Sequence, residues 1–234
     1  MNLEYLALVP AFNEADRISQ VIAGLRGRIP TLVVDDGSTD DTVLVARAAG
    51  VEVLSSERNE GKGVALKRGF EWGLDRGVKA IITLDADGQH DPSEAPKFIK
   101  AYDAGEGELI IGRRDFTKMP WQRRVANQLG KWTLSKALGV EIFDNQSGYR
   151  LLSRRLLERI TLTSSGFELE VEMVVEAVIH EIPIGWVDIQ TIYKTEIKSH
   201  FHPLKDSIQF LRMVLRAYAR RREAGHQKSR IGSG

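Results

Sequence analysis

The chain has no cysteine among its 234 residues. That absence excludes disulfide frameworks, thiolate metal sites and thiol nucleophiles, and it is compatible with a reducing, cytoplasmic setting. Long apolar runs are missing too: no window approaches the roughly 20 apolar residues that a membrane-spanning helix needs. The opening MNLEYLALVPAFNE has too short an apolar stretch, and the wrong flanks, for a secretory signal. Charge of one sign is also lacking, because 33 Lys and Arg against 32 Asp and Glu leave a formal net charge of +1. Nucleic acid is therefore not an expected partner, and any basic surface has to be local. Repeats and low-complexity linkers are absent, apart from a polar tail beginning at about residue 223.

What remains is an ordinary globular composition, 42% hydrophobic and 28% charged, with enough chain for one large domain or one domain and an appendage. Short runs rich in Val, Ile and Leu fall at 6–9, 31–35, 51–54, 80–85 and 109–112, as in buried parallel strands. Between them, 14–26, 40–49, 61–76 and 93–103 read as helices, with start signals at Ser38 or Asp40 and at Asp91-Pro92-Ser93. The alternation predicts a wound α/β sheet. Beyond residue 113 the rhythm changes to a helix near 121–138, a small hairpin or strand near 147–152, a helix near 167–180 and strands within IPIGWVDIQTIY.

Ligands of such sheets sit beyond the carboxyl ends of the strands, and the polar motifs fall at those ends. Pro10-Ala11-Phe12-Asn13-Glu14 follows the first strand, Asp35-Asp36-Gly37-Ser38 the second, Asn59-Glu60-Gly61-Lys62-Gly63 the third and Asp85-Ala86-Asp87-Gly88-Gln89 the fourth. Asp35 and Asp36 suit ribose hydroxyls or a base. Asp85, Asp87 and Asp91 crowd carboxylates together, which calls for a cation, a shared proton or ample water. Asp85 and Asp87 are oxygen donors suited to a divalent ion that also holds phosphates. The expected ligand is a nucleoside diphosphate with a metal. An EF-hand is excluded, because its sixth and twelfth loop positions, counted from Asp85, would be His90 and Pro96. A haloacid-dehalogenase phosphatase would place D-x-D-G after its first strand, whereas here it follows the fourth and leads into Gln89.

VPAFNE, VVDDGSTDDT, NEGKG and LDADGQHDP occur in the order seen in inverting family 2 glycosyltransferases of the GT-A fold, and the chain resembles that family over nearly its whole length. IGRRD, DNQSGYRLLSR and IYKTEIKSHFHPLKDSIQFLR resemble segments of the polyprenyl-phosphate branch, which includes dolichyl-phosphate mannosyltransferases. The resemblance implies a Rossmann-like, mostly parallel sheet flanked by helices, with a GT-A domain over 1–205 and a basic amphipathic helix and tail over 206–234. It implies Asp87 and Gln89 as ligands of Mg²⁺ or Mn²⁺, with Asp85 turned toward the ribose or the metal. Pro10, Asn13, Glu14, Asp35, Asp36, Lys62 and Asp85 would line the nucleotide-sugar site. Arg114 with Arg123 or Arg124 would grip an acceptor phosphate, and Asn127 stands where the branch usually has Ser. Asp144 matches a functionally important Asp, serving as base or positioning the acceptor. Lys198, Ser199 and His200 match a closing loop.

Bottom-up chemistry bears on the acceptor as well. Arg113, Arg114, Lys118, Arg123, Arg124 and Lys131 face a single Asp115 between 113 and 131, a patch suited to phosphate oxygens. A phosphate acceptor is already ionised and needs no base, whereas a saccharide hydroxyl would need one. Ile208, Leu211, Leu215 and Tyr218 follow helical spacing beside Arg212, Arg216 and Arg220, as in a helix lying on an anionic membrane surface. The sequence therefore predicts a metal-dependent hexosyltransferase using a nucleotide sugar and polyprenyl phosphate, peripheral on the inner membrane face. The alternatives are a saccharide acceptor and a non-catalytic nucleotide-sugar binding scaffold.

Overall fold

The computed structural model describes residues 3–116, 121–190, 192 and 218–219, with the side chains of residues 121–123, 125 and 126 outside that set. Its strands are β1 (Tyr5–Ala11), β2 (Thr31–Asp35), β3 (Glu52–Ser55), β4 (Ala80–Thr83), β5 (Leu109–Arg114), β6 (Arg150–Ser153) and β7 (Ile184–Ile189). Its helices are α1 (Ala15–Leu25), α2 (Thr42–Ala48), α3 (Lys62–Asp75), α4 (Ala95–Asp103), α5 (Trp121–Leu138), α6 (Arg154–Leu157) and α7 (Leu169–Ile179). One sheet results, in the order β3-β2-β1-β4-β6-β5-β7.

β1, β2, β4, β5 and β6 are buried on both faces along most of their length, which is why apolar residues run through them, whereas β3 and β7 at the sheet edges are only partly buried. Leu6 and Leu8 of β1 join the cluster formed with Ala65, Leu66 and Phe70 of α3 and Val171 and Val174 of α7. Ala7 and Val9 join the opposite cluster, with Ile18, Val21 and Ile22 of α1 and Phe98 of α4. The two-residue period of a strand thus feeds two cores from one run.

β6 is the one antiparallel member among the described strands, pairing with β4 through Ile81↔Leu152 and with β5 through Ile110↔Leu151. The sequence suggested a small hairpin or strand here; the segment is a strand, and it is inserted between β4 and β5. That insertion matters for the site. Because β6 runs backwards, the loop that enters it, 144–149, lies at the same sheet edge as the loops that leave β1, β2, β4 and β5.

Local differences from expectation have simple causes. β4 ends at Thr83, so Leu84 and Asp85 already belong to the loop. The helix expected from residue 93 begins as a 3-10 turn, Pro92–Glu94, capped when Ser93 N donates to Asp91 Oδ1. The short α6 was not foreseen; Ser153 caps it by accepting from Leu156 N at 3.0 Å. Apart from 218–219, the C-terminal helix and tail expected over 206–234 lie outside the described residues.

Candidate active site

The loops that leave β1 and β2 are cross-linked by their own side chains. Asn13 sits in the left-handed region with φ 55 and its Oδ1 accepts from Thr39 N at 2.8 Å. Glu14 stands at the N-cap position of α1, where its carboxylate accepts from Arg17 at 2.8 Å rather than from the helix backbone. Pro10 is buried within β1 one residue before its end. Asp35, 1% exposed, accepts from Ser55 Oγ at 2.9 Å, and Asp36 accepts from Glu60 N and Gly61 N at 2.9 and 2.8 Å. Asp36 therefore holds the β3–α3 loop onto the β2 end. Beside them opens a polar cleft of ≈ 540 Å³ lined by Ser55, Ser56, Glu57, Arg58, Glu60 and Arg68.

Gly61 and Gly63 are needed for a close contact with the loop before α7. A β-carbon on Gly61, whose φ is 103, would stand 2.5 Å from Ser165 O, and Gly63 N donates to that same oxygen at 2.8 Å. This docking aims Lys62 inward. Its Nζ lies 2.5 Å from Asp85 Oδ1 and 2.6 Å from Glu170 Oε1. Burial works against the ammonium, but the two carboxylates outweigh it and hold Lys62 protonated. Lys62 was expected to line the nucleotide-sugar site; in the structure it forms an ion-paired triad with Asp85 and Glu170. Glu170 has no signal in sequence, since the contact joins residues 108 apart.

The acidic loop divides into two environments. Asp85 is neutralised by Lys62, whose attraction overcomes the cost of burial and lowers the Asp85 pKa. Asp87 makes no ion pair among the described residues. It accepts from Gln89 N at 2.9 Å and Gln89 Nε2 at 2.6 Å, and burial followed by the neighbouring Asp85 charge raises its pKa to about 6. A carboxylate so placed gains most from an added cation. Asp87 and Gln89 present adjacent oxygen donors once the Gln89 amide turns its oxygen inward. Among the described residues no three His, Cys, Asp or Glu side chains form a ready metal cage. That donor set still fits a small divalent ion, which is commonly held by one or two protein oxygens together with substrate phosphates.

Across the same edge, Asp144 is 1% exposed and takes a two-pronged pair from Arg114, Nε to Oδ2 at 2.7 Å and Nη2 to Oδ1 at 3.0 Å. Gln146 N and Ser147 N also donate to Asp144 Oδ1, at 3.0 and 3.1 Å. Asp144 is therefore engaged in orienting Arg114 and the 144–147 turn. The other basic candidates scatter. Arg113 pairs with Asp188 at the far edge strand, Arg124 is exposed on α5, and Asn127 is half-buried there. The side chain of Arg123, and Lys118, Lys198, Ser199 and His200, lie outside the described residues.

Arg150, fully buried, ties the two halves together. Its guanidinium donates to Ser147 O at 2.7 Å, Asn145 O at 3.1 Å and Glu170 O. Burial lowers its pKa to about 10, far above neutrality, so it stays charged.

Residues 7–161, well over half of the chain, match the family described as Glycosyl transferase family 2. The protein belongs to that family. It is 32% identical over 205 residues to the polyprenol monophosphomannose synthase of Mycolicibacterium smegmatis, covering 78% of this chain and 77% of that one. It is 30% identical over 207 residues to the undecaprenyl-phosphate mannosyltransferase of Micrococcus luteus, covering 80% and 84%. These relatives match the polyprenyl-phosphate branch that the motifs resemble. A crystal structure of glucosyl-3-phosphoglycerate synthase from Mycobacterium tuberculosis, in complex with Mn²⁺, UDP-glucose and glycerol 3-phosphate, shares the fold with TM-score 0.70 at 23% identity, covering 93% of this chain and 79% of that one. The sheet of this glycosyltransferase is thus the GT-A arrangement that its motifs implied.

Proposed function

We propose that this glycosyltransferase moves a hexose from a nucleoside diphosphate sugar to polyprenyl phosphate, with a divalent ion and inversion at the anomeric carbon. The observation that carries the reading is the placement at one sheet edge of the Asp87 carboxylate, to which Gln89 donates, and the Arg114 guanidinium held by Asp144. The M. smegmatis and M. luteus relatives are named for polyprenol-linked mannose transfer, and the M. tuberculosis neighbour was crystallised with Mn²⁺ and a nucleotide sugar. These support both ends of the proposal.

In this reading Asp35, Asp36 and the cleft beside Ser55 receive the nucleoside. Asp87 and Gln89 would hold Mg²⁺ or Mn²⁺, which offsets the charge that grows on the departing diphosphate. Arg114 pairs with the acceptor phosphate, helped by Arg123 or Arg124. An acceptor phosphate oxygen bonds to the anomeric carbon as the bond from that carbon to the diphosphate breaks. The acceptor is already an anion, so no proton has to be removed. Asp144 is spent on Arg114 and two backbone N–H groups, which argues against a general base and therefore against a saccharide hydroxyl acceptor. Among the described residues no helix is long and apolar enough to cross a membrane. Contact with the lipid would be peripheral, at the inner membrane face, with the basic C-terminal segment on anionic headgroups.

The test is transfer of label from a panel of GDP- and UDP-sugars into organic-extractable polyprenyl phosphate, with Mn²⁺ or Mg²⁺. Metal-dependent extractable label from one donor, falling about a hundredfold or more in Asp87→Asn, is the expected result. Label recovered only in soluble glycans would sink the lipid acceptor.

A further inference from the structure

His90 follows the acidic loop directly and is 4% exposed. Its Nδ1 is sealed from solvent without a hydrogen-bond partner. The ring is wedged against Tyr149 with centroids 5.3 Å apart, and Tyr149 in turn stacks on Phe98 at 4.4 Å. Tyr149 OH donates to Asp91 O at 3.3 Å, so the wedge also fixes the backbone that follows His90. A buried polar atom left unpaired costs about 1–3 kcal/mol, and a folded protein rarely leaves one so without a use for it.

Its position indicates the use. The charges that act most on His90 are Asp85, Arg114, Lys62 and Asp144, two from the donor side and two from the acceptor side. The ring bridges the acidic loop, which it continues in sequence and which would hold the diphosphate, and the 144–149 loop, whose Tyr149 it packs against. The transferred hexose is the one part of either substrate that must lie in that interval.

We infer that His90 is a specificity-determining residue whose imidazole hydrogen-bonds a hydroxyl of the transferred hexose. A neutral imidazole presents one donor and one acceptor, and a sugar hydroxyl supplies the complement of either. The bond selects by hexose configuration, because a site built to pair a hydroxyl penalises a sugar that lacks it or points it elsewhere. The inference rests on the donor half of the proposed function.

The experiment is calorimetric titration of the full chain with Mn²⁺ and UDP, GDP, UDP-glucose or GDP-mannose, in the unaltered protein, His90→Phe and His90→Gln. With the donor that the unaltered protein binds, His90→Phe is expected to weaken the nucleotide sugar about five- to tenfold while the bare diphosphate changes less than about twofold. His90→Gln, which keeps a polar terminus, recovers part of the loss. Equal weakening of sugar and bare diphosphate would make His90 a packing residue and overturn the inference, as would unchanged binding of both. Absence of any nucleotide binding by the unaltered protein would overturn the donor reading itself, and this inference with it.

Discussion

The carboxylate of Asp85 lies against Gly148 so closely that a β-carbon on the glycine would stand 2.5 Å from Asp85 Oδ2. The acidic loop after β4 and the 144–149 loop before β6 are thus in direct contact, and the glycine of the SGYR segment is what permits it. Gly148→Ala has to displace Asp85 from its pairing with Lys62. The expected cost is about 1–3 kcal/mol of stability, the usual range for overpacking. Mn²⁺-dependent nucleotide-sugar affinity should fall with it, by about tenfold if one charge-assisted contact is lost. Thermal melting and titration calorimetry measure the two effects, and an alanine tolerated in both would show that this contact does not set the position of Asp85.

Arg114 and Asp144 form a planar, two-pronged pair that a lysine cannot reproduce. Arg114→Lys leaves the Asp144 carboxylate partly unpaired in a buried site and removes the fork that, in the proposed reading, would meet phosphate. The expected loss of stability is on the order of 3 kcal/mol. In steady-state kinetics the acceptor KM should rise while the donor KM stays within about twofold, since uniform loss of one substrate's binding appears in its own KM. A rise in the donor KM alone would place Arg114 on the wrong side of the site.

The Arg150 side chain holds three backbone carbonyls, from Asn145, Ser147 and Glu170. Arg150→Met keeps much of the volume but strands those acceptors, at about 1–3 kcal/mol for each group left unsatisfied. Urea unfolding should show a loss of at least ~3 kcal/mol, given that such penalties do not add fully. A midpoint within error of the unaltered protein would mean that water replaces the guanidinium.

Glu172 fixes the loop that receives Gly63: its carboxylate accepts from Thr163 N, Thr163 Oγ1 and Ser164 N. Burial opposes its charge, but these donors prevail and hold its pKa below the ordinary 4.5. The folded pKa lies below the unfolded one, so the ionised form stabilises the protein above that ordinary value and the benefit fades as pH falls through the folded pKa. Glu172→Gln should therefore melt below the unaltered protein at pH 7, with the gap closing at pH values below about 4. A gap that is the same at both pH values would assign the effect to packing.

The sequence by itself determined the alternation of strands and helices, because doubly buried strands need apolar runs and the intervening helices carry their own start signals. It also placed Asn13, Asp35, Asp36, Asp85, Asp87 and Gln89 at one edge, since polar residues directly after a parallel strand can fall nowhere else. Only the tertiary structure decided what these residues do to one another. Lys62 is drawn to Glu170 across 108 positions, Asp85 is seated on Gly148, and His90 is sealed behind Tyr149. None of these contacts has a period or a spacing. The reversed β6 creates the last two, bringing the 144–149 loop to the edge where the parallel strands end, and strand direction is set by the pairing of distant segments.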